Sequence, residues 1–336
     1  MTFSRPLRTL LWPASLLYGF ATFVRASLYA HSWIKPKRLK AAVISVGNVT
    51  VGGTGKTPFV IWLAEKLLAQ DKRVAILTRG YRGTHGTSDE VELMRSRLQN
   101  RVLFGVGKDR YAQGHELESH QPVDVFLLDD GFQHRQLARD LDIVLLDSSQ
   151  QMGRQHLLPA GPMREKMSAL SRADIIVFTR LENEEGAKQA VQRFSELPIF
   201  ATSTVLRGFR GLGTPVESEL QTAPSLEDGP VFAFCGIGNP QAFERDLKLW
   251  NLPVAGRMFF PDHHRYTLED VRNIEEVAAR SGAKALITTE KDSCNLLEVK
   301  FAAMPVFVAV IDLQVSGETA FLSAITHLLR ARGALV

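Results

Sequence analysis

A glycine-rich loop between an apolar run and a helical segment constrains this chain more than any other feature. Residues 42–46 read AVISV, and the loop that follows ends in Gly52-Gly53-Thr54-Gly55-Lys56-Thr57. Glycines let backbone N–H groups approach phosphate oxygens, and a helix N-terminus adds positive potential. In such a loop the lysine reaches the β- and γ-phosphates and the Thr57 hydroxyl binds Mg²⁺. The pattern therefore predicts an ATP-phosphate site formed by Gly52, Gly53, Thr54, Gly55, Lys56 and Thr57.

The loop departs from the general pattern G-x-x-x-x-G-K-[ST] at its first position, which is Thr50. Gly52 and Gly53 can supply the flexibility that a glycine would give there. Val51 occupies the position where partition-type ATPases with a GGxGKT loop carry a signature lysine. The loop therefore favours phosphate binding and weighs against that class of switch.

Short apolar, β-branched runs alternate with segments of helical pattern, which predicts parallel βαβ units. The first set of runs lies at 42–46, 74–78, 125–128, 143–146 and 175–178. A second set lies at 231–235, 254–259, 285–289 and 306–311. We predict an α/β fold: a P-loop NTPase-like parallel-sheet domain at 41–206 and a second, smaller α/β domain at 207–336.

Local signals predict a domain junction and the two ends of a helix in the second half of the chain. Residues 207–230 are rich in Gly, Pro, Ser and Thr, as a domain junction tends to be. Thr267 and Asp270 can form a capping box for a helix at 268–281, and Gly282 can end it.

The segment 1–40 is predicted to be an amphipathic helix that associates with a membrane. Residues 9–24 carry no charge, but sixteen residues fall short of the roughly 20 that span a bilayer. On a helix, one narrow polar stripe contains Ser15, Tyr18, Thr22, Arg25, Tyr29 and Ser32. The wide apolar face favours the membrane interface, and the basic residues at 35–40 favour anionic lipid. The alternative is an ordinary helix packed on the core.

The net charge of +4 is a local property of this segment. The first forty residues contain no acid, and the rest of the chain therefore has a net charge of −3. The seven bases of this segment are Arg5, Arg8, Arg25, Lys35, Lys37, Arg38 and Lys40. A basic pI therefore does not argue for nucleic-acid binding. Two isolated cysteines, Cys235 and Cys294, exclude a disulfide framework or a zinc site and suit a reducing compartment.

Two adjacent acids follow a buried-strand pattern. The run at 125–128 leads directly into Asp129 and Asp130. Open α/β sheets bind ligands at the carboxyl ends of their strands. One of the pair is therefore expected to complete, with Thr57, a Mg²⁺ site; the alternative is that both acids cap a helix.

A kinase must also orient or deprotonate its acceptor hydroxyl. The residues alone offer Asp89-Glu90 and Asp262-His263-His264 and do not decide between them, because loop acids are usually solvated. Four bases could bind phosphate or serve only as surface charge: Arg79, Arg82, Lys108 and Arg110.

Taken together, these motifs resemble one family, the tetraacyldisaccharide 4′-kinases, which are the lipid A kinases of Gram-negative bacteria. The matching segments run in order along nearly the whole chain: GNVTVGGTGKTP (47–58), TRGYRG (78–83), the acids at 89–90, VGKDR (106–110), DDGFQH (129–134), LLPAGPMRE (157–165), GIGNP (236–240), FPDHHRYT (260–267) and TTEKD (288–292).

The resemblance implies transfer of the ATP γ-phosphate to the 4′-hydroxyl of a membrane-embedded tetraacyldisaccharide 1-phosphate, giving lipid IVA. It implies peripheral association with the cytoplasmic face of the inner membrane, and ATP and Mg²⁺ as cofactors. No nucleic acid and no obligate protein partner is expected. A kinase of another glycolipid alcohol and a membrane-associated nucleotide switch remain the alternatives.

The resemblance also implies roles for individual residues. The family's nucleotide residues fall on Thr54, Gly55, Lys56 and Thr57, and its metal-site acids on Asp129 and Asp130. Its catalytic Asp–His pair falls on Asp89 and His263, its phosphate-contacting arginine on Arg110, and an acid near the nucleotide and metal on Glu165. Because Asp89 and His263 lie in different predicted domains, the two domains are expected to close over the substrate.

Overall fold

The structure, a computed structural model, describes residues 5–80, 88–148, 156–180, 197–215, 218–221, 229–296 and 299–334. The described helices are α1 (Arg5–Ala30), α2 (Lys56–Leu68), α3 (Asp89–Leu98), α4 (Arg110–His120), α5 (Pro240–Leu249), α6 (Leu268–Arg280), α7 (Glu290–Cys294) and α8 (Glu318–Ala331). The described strands are β1 (Ala42–Asn48), β2 (Val74–Thr78), β3 (Leu103–Val106), β4 (Val125–Asp129), β5 (Leu141–Asp147), β6 (Ile175–Thr179), β7 (Ile199–Gly211), β8 (Val231–Cys235), β9 (Val254–Phe259), β10 (Ala285–Thr289) and β11 (Val306–Val315).

The chain forms two compact units, each assembled from separate stretches of sequence. Unit 1 comprises Met1–Arg79, Asn100–Ser203 and Gln314–Val336, and unit 2 comprises Gly80–Gln99 and Thr204–Leu313. Residues 80–99 thus join unit 2 and residues 314–336 join unit 1, whereas the sequence-based boundaries assumed continuous domains. Such exchanges leave no local signal, because they depend on contacts between distant segments.

Unit 1 is built on a parallel sheet with the strand order β3-β2-β4-β1-β5-β6-β7. Every residue of β1, β2, β4, β5 and β6 is buried. Parallel strands covered on both faces need continuous apolar runs rather than alternation, which is the pattern that the sequence shows. The parallel α/β prediction is confirmed, and the carboxyl ends of β1 and β4 place the glycine loop and the acidic pair at one edge of the sheet.

The polar stripe of α1 faces unit 1. Ser15 Oγ donates to the Leu157 carbonyl (2.8 Å), and the Tyr18 hydroxyl donates to the Arg164 carbonyl (3.1 Å). The opposite face leaves Leu17 and Phe20 70% and 65% exposed. Among the described residues, no helix combines the length and apolar character needed to cross a membrane.

Unit 2 has a smaller parallel sheet in which β11, β10, β8 and β9 follow one another. The predicted capping box of α6 is present, with Thr267 accepting from the Asp270 N–H and the Asp270 carboxylate accepting from the Thr267 N–H. Gly282 follows the helix with φ 79°, a conformation that favours glycine.

Two local features differ from the sequence reading. Strand β7 runs through Gly211, so the start of the predicted junction at 207–230 is extended sheet. Asp89 and Glu90 are not loop acids, because they open helix α3, which Ser88 caps by accepting from the Val91 N–H. The Ser-Asp-Glu sequence at 88–90 carries this N-cap signal.

Candidate active site

The glycine loop is held in place by the carboxyl ends of two strands, β1 and β6, which lie on either side of β5. Gly55 has φ 81° immediately before α2 begins at Lys56. From β1, the Asn48 amide donates to Thr54 Oγ1 (2.9 Å), and from β6 the Thr179 hydroxyl donates to the Thr54 carbonyl (3.1 Å). Arg180 also donates to the Gly53 carbonyl (2.9 Å). Backbone N–H groups at the start of a helix are thereby fixed in a loop that can receive phosphate.

Asp130 pairs with two cations. Its carboxylate lies 3.5 Å from Lys56 Nζ and accepts from Arg164 at 2.7 Å. Burial disfavours the charged form of Asp130, but Lys56 and Arg164 outweigh this cost and hold its pKa below the ordinary value. Asp130 therefore stays ionised and fixes Lys56 at the mouth of the glycine loop.

Asp129 has a different environment from its neighbour. It is the last residue of β4, is buried, and accepts a hydrogen bond from the Thr78 hydroxyl (3.1 Å). Burial, and then the charge of Asp130, raise the pKa of Asp129. A buried carboxylate whose charge is costly is well suited to a divalent cation, and carboxylate and hydroxyl oxygens are ligands that Mg²⁺ prefers. Asp129 and Thr57, in the first turn of α2, thus fit the predicted Mg²⁺ site.

Glu165 is enclosed by arginines. It forms a two-pronged pair with Arg172 (3.0 and 3.1 Å) and lies 3.6 Å from Arg135. The Gln133 amide donates to Glu165 (3.2 Å) and to the Asn48 carbonyl (2.9 Å), which connects this acid to the end of β1. These contacts orient Glu165, and its role as a metal ligand remains a prediction.

Arg110 opens helix α4 and is buried. Burial lowers its pKa, whereas the charges of Asp130 and Asp129 raise it, so the guanidinium lies within electrostatic range of both acids. Its NH1 is 3.5 Å from His134 Nδ1. Burial and the Arg110 charge lower the pKa of His134 to about 4, so His134 is neutral at physiological pH.

Several site residues were not selected from the sequence. Arg164 contacts Asp130, and Arg180 contacts the backbone of the glycine loop. Gln133 connects Glu165 to β1. Arg164 and Gln133 lie inside the motifs LLPAGPMRE and DDGFQH, so the motifs contained the signal although no spacing rule assigned it. The predicted phosphate-binding candidate Arg82 lies outside the described residues.

In unit 2, Asp89 and His263 are in direct contact. His263 Nδ1 lies 2.9 and 3.0 Å from the two carboxylate oxygens of Asp89. This hydrogen bond raises the pKa of His263 against opposing effects of burial and of Lys291. Burial opposes the charged form of Asp89, but hydrogen bonds with His263 and Glu90 and the charge of Lys291 hold its pKa well below the ordinary range. The pair is therefore a carboxylate beside an imidazole that readily takes a proton.

The contact changes one expectation. Asp89 and His263 were placed in different domains, and closure of the two domains was inferred from that placement. Both belong to unit 2, because residues 80–99 join that unit, and they meet within it. The pair therefore gives no support to the inferred closure.

Comparison with known proteins gives concordant results. The model of the family described as tetraacyldisaccharide-1-P 4′-kinase matches residues 7–330. The tetraacyldisaccharide 4′-kinase of Syntrophus aciditrophicus is 35% identical, covering 94% of this chain and 91% of its own length. That of Geobacter metallireducens is 37% identical, with 92% and 94% covered. A crystal structure of LpxK from Aquifex aeolicus in complex with ATP superposes with a TM-score of 0.75 at 33% identity, covering 96% of this chain and 99% of that one.

Proposed function

Because the chain belongs to the tetraacyldisaccharide-1-P 4′-kinase family and is an ATP-dependent kinase of that family, we propose how its residues divide the reaction. The γ-phosphate of ATP passes to the 4′-hydroxyl of a tetraacylated glucosamine disaccharide 1-phosphate, and the product is lipid IVA. The contact between Asp89 and His263 is the observation that supports transfer to an acceptor hydroxyl. A nucleotide switch needs no group that accepts a hydroxyl proton.

Unit 1 supplies the residues that bind ATP, the phosphate donor. The backbone of the loop at 52–57 would receive the phosphates, and Lys56, paired with Asp130, would neutralise charge on the γ-phosphate. Thr57 and Asp129 would hold Mg²⁺, and the ion would neutralise phosphate charge. Arg110 adds positive charge near the transferred group. Phosphoryl transfer depends mainly on such positioning and charge neutralisation, so these residues carry most of the rate enhancement.

Unit 2 supplies the acceptor half. The bond between the γ-phosphorus and the oxygen of ADP breaks as a bond to the 4′-oxygen forms, and the 4′-hydroxyl proton goes to Asp89. His263 orients the carboxylate and shares that proton through Nδ1. Asp89 is ionised before each turnover because its pKa lies well below the ordinary range, so the pair holds the accepted proton mainly on His263, whose pKa the same hydrogen bond raises.

The test is a kinase assay with detergent-dispersed disaccharide 1-phosphate and γ-labelled ATP, followed by separation of the lipid products. We expect a labelled lipid, and we expect Asp89→Ala and His263→Ala each to lower kcat by about 10²-fold or more, as loss of a general base does. The KM for ATP should stay near that of the wild type. His115→Ala, an exposed histidine paired with Glu118, is the control and should retain full activity.

Failure can take two forms in this assay. ATP hydrolysis without any labelled lipid would exclude the proposed transfer and favour a nucleotide switch. Labelled lipid with near-wild-type kcat in both variants would retain the activity and remove the pair from the mechanism.

For localisation we propose that α1 lies on the cytoplasmic face of the inner membrane as a peripheral anchor. Its apolar face is exposed while its polar stripe contacts unit 1, which is the orientation that membrane contact requires. Arg25 and the bases at 35–40 provide attraction to anionic headgroups. A substrate with four acyl chains stays in the bilayer, so an anchored enzyme meets it by diffusion in two dimensions.

A further inference from the structure

Helix α1 contacts unit 1 through few side chains. Of those whose burial the structure describes, at 9–30, Ser15 alone is buried. Its Oγ donates to the Leu157 carbonyl (2.8 Å), and the Tyr18 hydroxyl donates to the Arg164 carbonyl (3.1 Å). Because so little of the helix is buried, its docking on unit 1 depends on a small number of contacts.

These contacts fall on one stretch of chain, residues 156–165, which we call the bridging segment. Gly19 faces the same stretch, and a Cβ there would lie only 2.8 Å from Leu157 Cδ1. Helix and segment are therefore closely packed between the two hydrogen bonds, and displacement of one disturbs the other.

The bridging segment is paired on its other side with the start of the glycine loop. The Val51 N–H donates to the Pro162 carbonyl and the Arg164 N–H donates to the Val49 carbonyl, both at 2.8 Å. The residues between these donors and acceptors form an antiparallel bridge. Residues 49–51 directly precede the glycines, so backbone hydrogen bonds from the bridging segment hold the entry to the phosphate loop.

The segment also reaches Lys56 through a side chain. Arg164 donates to the Asp130 carboxylate at 2.7 Å, and that carboxylate lies 3.5 Å from Lys56 Nζ. Arg164 thus contacts α1 with its main chain, through Tyr18, and the Asp130–Lys56 pair with its side chain. Movement of α1 away from unit 1 would release restraints on the glycine loop and on the partner of its lysine.

We propose that Ser15 and Tyr18 are positioning residues for ATP: by docking α1 on the bridging segment, they hold the glycine loop and Lys56 in the arrangement that receives the phosphates. The proposal deepens the proposed function and rests on it, because it assumes that the loop at 52–57 binds ATP. Helix α1 then has two faces with separate tasks, an apolar face toward the membrane and a polar stripe that organises the ATP site. Docking of α1 and ATP binding are coupled, and each strengthens the other by the same factor.

The first measurement is the Kd of the ATP analogue AMP-PCP with Mg²⁺, by calorimetry on the full-length protein in nonionic detergent without lipid acceptor. Ser15→Glu places an unpaired charge at a buried position, which strongly disfavours docking of α1. We expect its Kd to rise at least about tenfold, because the binding-competent fraction of the protein falls to about a tenth or less. In the kinase assay the KM for ATP should rise similarly, and kcat at saturating ATP should fall less, since bound nucleotide favours docking.

Leu17→Glu/Phe20→Glu is the matched control, because it also introduces glutamate into α1 but on the exposed face. This variant should bind AMP-PCP with the wild-type Kd although its partitioning onto vesicles falls. Ser15→Glu should show the opposite pattern, with vesicle binding retained. If Ser15→Glu does not fold, Ser15→Ala/Tyr18→Phe replaces it; the pair of changes removes only the two hydrogen bonds and should raise Kd about three- to tenfold.

A second readout needs no variant. In hydrogen exchange of the wild type followed by mass spectrometry, AMP-PCP with Mg²⁺ should slow exchange of the α1 amides, because a ligand that binds the docked state stabilises that state. Helix α6, in unit 2, is the internal reference, and its exchange should change less.

Exchange of α1 that does not respond to nucleotide would overturn the proposal, because coupling is reciprocal. A wild-type Kd in a Ser15→Glu protein whose α1 exchanges fast would also overturn it. Failure of the proposed function looks different: the wild type would then make no labelled lipid, while calorimetry and exchange would still report on α1 and the nucleotide.

Discussion

Two residues of the candidate site, Asp130 and His263, have positive φ angles of 50° and 62°. Residues other than glycine rarely adopt positive φ, and those that do are held there by the surrounding structure, often at functional sites. At Asp130 the conformation directs the carboxylate to Lys56 and Arg164, and at His263 it directs Nδ1 to Asp89. Both angles can be maintained because several contacts over-determine each side chain.

At the same scale, Asp129→Asn tests the proposed Mg²⁺ site. The amide keeps the size of the side chain but removes the charge that binds the cation. We expect the Mg²⁺ concentration for half-maximal rate to rise about tenfold or more, a cost of about 1.4 kcal/mol or more in ion binding. Asp124→Asn, an acid of the same unit that pairs with Arg73 at the surface, is the control. An unchanged Mg²⁺ requirement in Asp129→Asn would assign the ion to other ligands.

Among the described elements, α1 leaves one apolar face uncovered. Ser15 is buried against unit 1, whereas Leu17, Phe20 and Phe23 are 65–70% exposed. Exposed large apolar side chains grouped on one helix face usually mark a contact surface. The helix thus presents to its surroundings the side chains that a globular core would bury.

The double variant Leu17→Glu/Phe20→Glu tests this face. Each apolar side chain contributes about 1.5–3 kcal/mol when it is buried in the interface, and glutamate is repelled by anionic lipid. We expect partitioning onto vesicles of phosphatidylethanolamine and phosphatidylglycerol to fall by at least about a hundredfold in sedimentation assays. Leu268→Glu changes an equally exposed leucine of unit 2 and should bind as the wild type does. Equal binding by all three proteins would exclude α1 as the anchor.

On the scale of the whole molecule, helix α8 completes unit 1, which contains the glycine loop. Phe321 of α8 is fully buried, with its ring 5.9 Å from that of Phe59, 5.5 Å from Trp62 and 5.0 Å from Phe200. Phe59 and Trp62 belong to α2, the helix that begins at Lys56. A segment about 260 residues further along the chain therefore packs on the helix that begins at Lys56, the residue predicted to bind phosphate.

Phe321→Ala should destabilise unit 1 by about 3–5 kcal/mol, since it leaves a cavity among aromatic rings. Urea unfolding followed by tryptophan fluorescence gives the change in free energy, because Trp62 lines the cavity. Ser323→Ala, an exposed position on the same helix, should change stability by less than about 0.5 kcal/mol. Equal midpoints for the two variants would show that α8 adds little to unit 1.

Much of the fold follows from local pattern. The buried strands β1, β2, β4, β5 and β6 match the apolar runs because both faces of a parallel sheet must be apolar. The sequence did not predict helix α3, because its first two residues, Asp89 and Glu90, look like the solvated acids of a loop when their burial is unknown. The end of strand β7, at 207–211, was read as the start of a junction because Gly208 and Gly211 fit a turn as well as a strand.

The amino-acid sequence by itself determined the glycine loop, the acidic pair after β4 and the class of fold, because each depends on residues close together in the chain. Only the tertiary structure decided that Asp89 and His263, 174 positions apart, share a hydrogen bond. It also decided that Asp130 pairs with Lys56, whereas Asp129 is buried and accepts from the Thr78 hydroxyl. Lys291 gained its place between three carboxylates for the same reason: contacts between distant segments set charge and burial, and local patterns do not contain them.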